Sequence, residues 1–180
     1  MKNPALTMIQ PYQQTTYETC LACCLLQAAR KEVTRNEERA ILNHSLDFSR
    51  DFFVLGHLDY FIKKYDAKFD LIADNQRFVQ WLGQVSANIS LKCEKITLGL
   101  IDEHLSSFPI LLIDDYYLYY EVHYPHWITV LRKRDDSYEI FDVWDGKEKI
   151  ISAKLLEEAI RSLREHLNFC PQLILLQKDH

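Results

Sequence analysis

Glycine and proline are scarce in this chain, which has four glycines and five prolines among its 180 residues. Average usage would give roughly 20 such residues in a chain of this length. The scarcity excludes a collagen-like chain and a low-complexity linker. Asparagine, aspartate and serine must therefore form many of the turns.

Long apolar runs are also absent. The longest nearly apolar stretch extends from Cys20 to Ala29 and is interrupted by Gln27, whereas a membrane-spanning helix needs about 20 residues. Residues 1–14 hold no apolar segment of the length that a secretory signal requires. We therefore expect a soluble, cytoplasmic protein with no membrane span, although export without a signal would leave no trace of this kind.

An excess of basic charge is missing as well. The chain has 21 Lys and Arg residues against 26 Asp and Glu residues, for a net charge of −5. Its longest basic block is the three-residue run Arg132–Arg134. A negative surface of this kind argues against nucleic acid or an anionic membrane as the main partner.

The five cysteines are an odd number, and three of them crowd together at Cys20, Cys23 and Cys24. In a chain of this length with no secretory signal, this usage indicates reduced thiols rather than a disulfide framework.

What the chain does contain is enough apolar sequence for a core, with 48% apolar and 12% aromatic residues. From Cys20 to about Gln84 the apolar residues recur at helical spacing, whereas from Ile89 onward the pattern is typical of strands. We therefore expect one α+β domain over residues 1–180, in which N-terminal helices pack against a C-terminal antiparallel sheet.

Local signals add detail to this prediction. The apolar residues Phe78, Val79, Leu82 and Val85 predict a helix with Asn75 or Asp74 as its N-cap. Further predictions are a buried strand over Pro109–Ile113, a hairpin of Trp127–Leu131 with Tyr138–Phe141, a helix capped by Ser152, and a final strand over Leu173–Leu176.

Cys20 is the candidate nucleophile. It follows a polar run with helix-start chemistry, either with Thr19 as the N-cap or with Thr15 and Glu18 forming a capping box one turn earlier. In both cases the sulfur lies near the positive end of the helix dipole, where a thiolate is favoured. The alternative is a small buried apolar residue, the role we expect for Cys23 and Cys24.

A cysteine nucleophile needs a base, and His123 and His126 stand just before the predicted strand Trp127–Leu131. The paired strand ends at Asp142, so an imidazole and a carboxylate can lie side by side, as in a triad. Asp145 belongs to a turn with Gly146. The other histidines fall in helical segments or at the terminus: His44, His57, His104, His166 and His180.

Four residues form an ordered set along the chain. Gln14 is followed after five intervening residues by Cys20, His126 comes late and precedes an apolar strand, and Asp142 lies sixteen residues after His126. This order resembles the bacteriocin-processing peptidases, papain-like cysteine peptidases best known as transporter domains that cut leader peptides after a double glycine. The resemblance extends over roughly Gln10 to Leu176.

The resemblance implies a papain-like cysteine peptidase fold acting on a peptide or protein substrate, without a cofactor or metal. Cys20 would be the nucleophile, His126 the general base and Asp142 its orienting residue. The Gln14 amide and the Cys20 backbone N–H would form the oxyanion hole. Two departures are Leu21, where the family has glycine, and Val143, where it has proline.

Other functions fit parts of the same pattern. Cys20 and Cys23 form a C-x-x-C, but the preceding segment is too polar for the strand that a dithiol oxidoreductase requires. A zinc site would lack a second pair, because Cys93 and Cys170 are isolated. The same triad would serve a deamidase or an acyltransferase, and a cleft blocked by Leu21 would leave a silent peptide-binding module.

The segment Asp114–Tyr124 holds five tyrosines in eleven residues. One interpretation is a strand with an extended loop whose rings cover a sheet edge. The other is a wall that contacts substrate, because tyrosine serves both packing and recognition.

Overall fold

The structure is a computed structural model that describes residues 10–48, 53–83 and 86–177. Val85 and His180, which entered the predictions above, lie outside these ranges. The described residues form seven α-helices, which are α1 (Cys20–Ala28), α2 (Arg35–Phe48), α3 (Phe53–Tyr65), α4 (Gln76–Leu82), α5 (Leu98–Glu103), α6 (Tyr116–Tyr119) and α7 (Ala153–Glu165).

Seven strands in the same residues form one sheet in the order β2-β1-β7-β3-β4-β5-β6. The β1 and β2 strands pair in parallel, and the other neighbours pair antiparallel. The strands are β1 (Phe69–Ala73), β2 (Ile89–Cys93), β3 (Ile110–Asp114), β4 (Pro125–Arg134), β5 (Ser137–Asp142), β6 (Lys147–Ser152) and β7 (Gln172–Leu176).

The α+β class is thus confirmed, but two details of the prediction are wrong. The sheet is mixed rather than antiparallel, and β1 lies inside the half that was predicted to be helical. The β1 strand spans only five residues and is buried at all but one of them, so its pattern does not differ from that of a short buried helix. Helix α4 then supplies the crossover that a parallel pair requires.

Helix α1 runs through the interior, and its residues from Cys20 to Gln27 are all buried. A helix that is apolar on all sides belongs in a core. It packs on one face of the sheet against β4, and α7 packs on the other face against β3. Alternate residues of β3 serve the two faces: Ile110 and Leu112 join the cluster around α1, whereas Leu111 and Ile113 join the one around α7.

Several local predictions are confirmed. The Asn75 side chain caps α4 by accepting from the Phe78 N–H at 3.1 Å, and the Ser152 hydroxyl caps α7 in the same way. The hairpin of β4 and β5 forms, but its turn is shorter than expected because the strands continue to Arg134 and resume at Ser137.

The tyrosine-rich segment differs from the predicted strand with an extended loop. The strand ends at Asp114, and α6 then forms a single turn that closes with Tyr120 in the left-handed region. The segment therefore doubles back before β4 begins. None of the helices in the described ranges is long and apolar enough to cross a membrane.

Candidate active site

Cys20 is the first residue of α1, and Thr19 is the N-cap residue. A 3-10 turn over Tyr17–Thr19 leads into the helix. Thr19 occupies the N-cap position, as the first of the two predicted helix starts has it, but its hydroxyl caps no N–H of α1. A capping box lies one turn earlier, as in the second prediction, although Thr16 and Thr19 form it rather than Thr15 and Glu18. Cys20 is 6% exposed and lies at the helix end where the backbone N–H groups favour negative charge.

The His126 and Asp142 side chains form a buried pair. The Nε2 atom of His126 lies 2.8 Å from Oδ1 of Asp142, and the side chains are 2% and 0% exposed. The pair arises because His126 lies at the start of β4 and Asp142 at the end of β5, and these strands are antiparallel neighbours.

The Cys20 thiol lies close enough to the His126 imidazole to contribute to the pKa of that imidazole. Since Asp142 holds Nε2, the nitrogen left for the sulfur is Nδ1. Burial alone would lower the pKa of His126, but hydrogen bonds to Asp142 and Cys20, together with their charges, outweigh it and raise the pKa to about 10. The imidazole, placed between the sulfur and the carboxylate, is therefore protonated at neutral pH.

Three further groups hold the Asp142 carboxylate. Its Oδ2 accepts from the Tyr119 hydroxyl at 2.6 Å and from Lys149 Nζ at 2.7 Å, and its Oδ1 accepts from the Trp144 N–H at 2.9 Å. Burial opposes ionisation, but the bond and charge of His126 and these donors lower the pKa of Asp142 well below its usual range. Asp142 therefore stays ionised and orients the imidazole.

Gln14 lies beside this group. Its backbone N–H donates to the Val143 carbonyl at 2.8 Å, which joins the segment before α1 to the residue after Asp142. Its side-chain Nε2 donates to the Thr16 carbonyl at 2.8 Å. One amide hydrogen remains for a substrate oxygen, and Gln14 lines the same cavity as His126.

Sequence reasoning missed a buried carboxylate that secures this segment. Glu38 of α2 is 0% exposed. It accepts from the Thr15 N–H at 2.6 Å, from the Tyr12 hydroxyl at 2.7 Å and from the Thr19 hydroxyl. Glu38 thereby contacts both sides of the loop between Gln14 and Cys20. The available signal was a charged residue on the apolar face of α2, in line with Ile41 and Ser45.

The two departures from the family pattern are accommodated. Leu21 is 1% exposed, belongs to the core cluster around α1 and lines a groove together with Cys20. Val143 is fully buried, and its carbonyl accepts the Gln14 N–H.

The structure separates His123 from the thiol. His123 Nδ1 lies 2.7 Å from Oδ2 of Asp114, and its ring stacks on Tyr116 with centroids 4.3 Å apart. His166 lies against its ring at 4.0 Å. Of the two histidines before β4, His126 is the one that the structure brings to Cys20.

The other cysteines occupy different surroundings. Cys23 and Cys24 are fully buried, and burial raises the pKa of both thiols. Cys170 is half-buried, with its pKa raised to about 11 chiefly by burial, and Cys93 is exposed. All five thiols are free. Within the described ranges, no three His, Cys, Asp or Glu side chains are placed to hold a metal ion.

Two depressions meet at the site. The first, here called the polar cavity, has a volume of about 90 Å³ and is lined by Gln14, Tyr17, Asp115, Tyr119, Glu121, Val122, Tyr124, His126 and Trp144. The second, the apolar groove, measures about 690 Å³ and includes Cys20, Leu21, Val54, Phe78, Trp81, Leu82 and Trp127. Tyr17 and Tyr124 line both. Part of the tyrosine-rich segment thus borders the site, and the interpretation of that segment as a substrate-contacting wall stays a prediction.

No family model matches the chain, and no curated protein matches it either. What the site can do must therefore be inferred from its geometry. A thiol at a helix N-terminus, a protonated imidazole, an ionised carboxylate and an amide donor are the groups required for attack on a carbonyl carbon.

Proposed function

We propose that this chain is a thiol-dependent hydrolase that cleaves a peptide or amide bond. The observation that carries the proposal is the position of the buried His126 imidazole, which interacts with the Cys20 thiol while Asp142 lies 2.8 Å from its Nε2. A histidine that served only in packing would not need a nucleophile and a carboxylate on its two nitrogens.

In the proposed reaction, the Cys20 sulfur attacks the substrate carbonyl and the thiol proton resides on His126. The oxygen becomes an oxyanion, which the free Gln14 amide hydrogen and the Cys20 backbone N–H stabilise. The carbon–nitrogen bond then breaks as His126 gives its proton to the leaving amine. Water attacks the thioester in the second half, with His126 as the base, and releases the acid and the thiolate.

The fold supports the same proposal. A buried helix presents the cysteine at its N-terminus, and the neighbouring antiparallel strands present the histidine and the aspartate. We infer that this is the papain-like arrangement and that the likeness to bacteriocin-processing peptidases extends to the roles of Cys20, His126, Asp142 and Gln14. A silent binding module is less favoured, because Cys20 itself lines the apolar groove together with Leu21.

The test is incubation of the protein with a peptide library that includes glutamine side chains, followed by mass spectrometry. We expect new peptide termini with the wild type and none with Cys20→Ala, whereas the exposed-thiol control Cys93→Ala should act like the wild type. Conversion of glutamine to glutamate instead would assign a deamidase with the same triad. Full activity of Cys20→Ala, or no reaction with any peptide, would contradict the proposal.

A further inference from the structure

Asp115 differs from Asp114 and Asp142 in having a carboxylate oxygen without a hydrogen-bond partner among the described residues. That oxygen, Oδ1, is buried. By contrast, Asp114 accepts from Ser162, His123 and the Tyr116 N–H. A buried carboxylate oxygen without a donor is costly, so a donor that arrives with a ligand would bind favourably.

Asp115 lines the polar cavity, whose walls are largely aromatic. The Tyr17 ring lies 4.6 Å from the Trp144 ring and 6.0 Å from the Tyr124 ring, measured between centroids. Glu121 adds a second, exposed carboxylate to the lining. Aromatic faces around a carboxylate are the surroundings that a desolvated cation prefers.

The residues that line the polar cavity indicate which side of the scissile bond the cavity faces. His126 and Gln14 line the polar cavity, whereas Cys20 lines the apolar groove. In the proposed reaction, His126 protonates the departing amine, so the leaving group must lie on the side of the imidazole. The acyl part stays on the sulfur, beside the apolar groove.

We propose that the polar cavity binds an alkylammonium group, carried by the residue that follows the scissile bond, and that Asp115 is the residue that selects it. This inference rests on the proposed function. A volume of about 90 Å³ restricts the occupant to a group no larger than the end of a side chain. Burial raises the pKa of Asp115 to about 6 against the opposing charges of His126 and Lys149, so the carboxylate is ionised at neutral pH. Its buried Oδ1 has no hydrogen-bond partner among the described residues.

A binding experiment tests the site without turnover. Cys20→Ala protein is titrated with n-butylammonium chloride and, separately, with 1-butanol, and binding is measured by ligand-observed NMR. We expect the ammonium ion to bind at least about tenfold more tightly than the alcohol, since it supplies a charged donor. Asp115→Asn should remove that preference, and the exposed control Asp66→Asn should keep it. Equal binding of ion and alcohol, or a preference that survives Asp115→Asn, would overturn the assignment.

A cleavage experiment distinguishes this inference from the function on which it rests. A peptide cleaved in the library digest is remade with lysine or norleucine after the scissile bond. We expect lysine to raise kcat/KM, Asp115→Asn to bring the ratio of the two rates near one, and Asp66→Asn to preserve it. Cleavage that requires Cys20 but ignores the charge would refute the cation site alone, whereas cleavage independent of Cys20 would refute the function.

The same ammonium group could reach the cavity on a free diamine, and 1,5-diaminopentane tests that source. One amine would occupy the cavity while the other attacks the thioester, forming a carbon–nitrogen bond as the carbon–sulfur bond breaks and its proton passes to His126. Adducts that require both Cys20 and Asp115 would assign the site to an acceptor amine. Their absence, together with a lysine preference in peptides, would assign it to the leaving group.

Discussion

Two histidine–aspartate pairs lie near the start of β4, with almost the same length and different surroundings. His126 and Asp142 are 2.8 Å apart, and His123 and Asp114 are 2.7 Å apart. The first pair is buried, whereas the His123 side chain is 33% exposed. A short histidine–carboxylate contact therefore does not identify a catalytic base, and the group on the other side of the imidazole must decide.

That group is a thiol in one pair and an aromatic stack in the other. The Cys20 thiol interacts with His126, whereas Tyr116 and His166 flank His123. A hydroxyl is present near the second pair, but Ser162 donates to Asp114 rather than to the imidazole. Since its proton is directed to a carboxylate, Ser162 is not prepared as a nucleophile, and we interpret the second pair as structural.

The largest expected effect is the difference in kcat/KM between alanine substitutions of the two histidines. His126→Ala should lower kcat/KM by at least about 10²–10⁴-fold, the usual contribution of general acid–base catalysis. His123→Ala should change kcat/KM by less than about threefold, because surface substitutions away from the site are mostly mild. Cleavage of one library peptide measures both. A loss with His123→Ala and none with His126→Ala would reverse our choice of base.

The next largest effect concerns Gln14, the proposed side-chain donor to the oxyanion, which lies beside the His126–Asp142 pair and not beside the His123–Asp114 pair. Gln14→Ala should lower kcat by about 10²–10³-fold with little change in KM, as expected for a donor that acts in the transition state. Its exposed neighbour Gln13 provides the matched control Gln13→Ala. A normal kcat for Gln14→Ala would remove the side-chain donor from the mechanism.

A smaller effect should follow from loosening the loop that carries Gln14. Glu38→Gln keeps the shape of the side chain but loses the charge that three donors contact, so we expect kcat to fall by roughly tenfold through displacement of Gln14. The control is Glu37→Gln on the same helix, whose carboxylate pairs with Lys64. Thermal unfolding and kcat are measured together. If both variants lose stability and neither loses kcat, Glu38 has no positioning role.

The second pair should respond in stability rather than activity. Ser162→Ala removes a 2.5 Å hydrogen bond to the buried Asp114 and should lower the free energy of unfolding by about 1–3 kcal/mol. It should leave kcat/KM unchanged within about twofold, because Ser162 lies on α7 and lines neither the polar cavity nor the apolar groove. Urea denaturation and peptide cleavage give the two values. Loss of activity at full stability would give this pair a catalytic role.

The sequence was informative where local rules operate. The polar helix-start residues before Cys20 and the alternation of β4 and β5 are local patterns. They sufficed to predict that Cys20 lies within a turn of a helix start and that His126 and Asp142 lie side by side. The cap at Asn75 was equally readable. These features depend on residues close in sequence or on one hairpin.

The remainder depends on contacts between distant elements. Lys149 comes from β6 and Tyr119 from α6, and both reach Asp142 only once the sheet has formed. Glu38 is similar, because its donors lie 19 to 26 residues away. The parallel pairing of β1 with β2 also follows from packing, since the five-residue β1 has no pattern that distinguishes it from the helices on either side.

Alkylation of Cys20 by iodoacetamide, with the exposed Cys93 as an internal reference, tests the central claim most directly. Contacts with Asp142 and Cys20 raise the pKa of His126 to about 10, and a protonated imidazole beside a sulfur is a setting that activates a cysteine. Mass spectrometry of both peptides should therefore show Cys20 labelled faster than Cys93 at neutral pH, and His126→Ala should abolish that advantage. Labelling of Cys20 no faster than that of Cys93, or an advantage that survives His126→Ala, would contradict a Cys20–His126 catalytic pair.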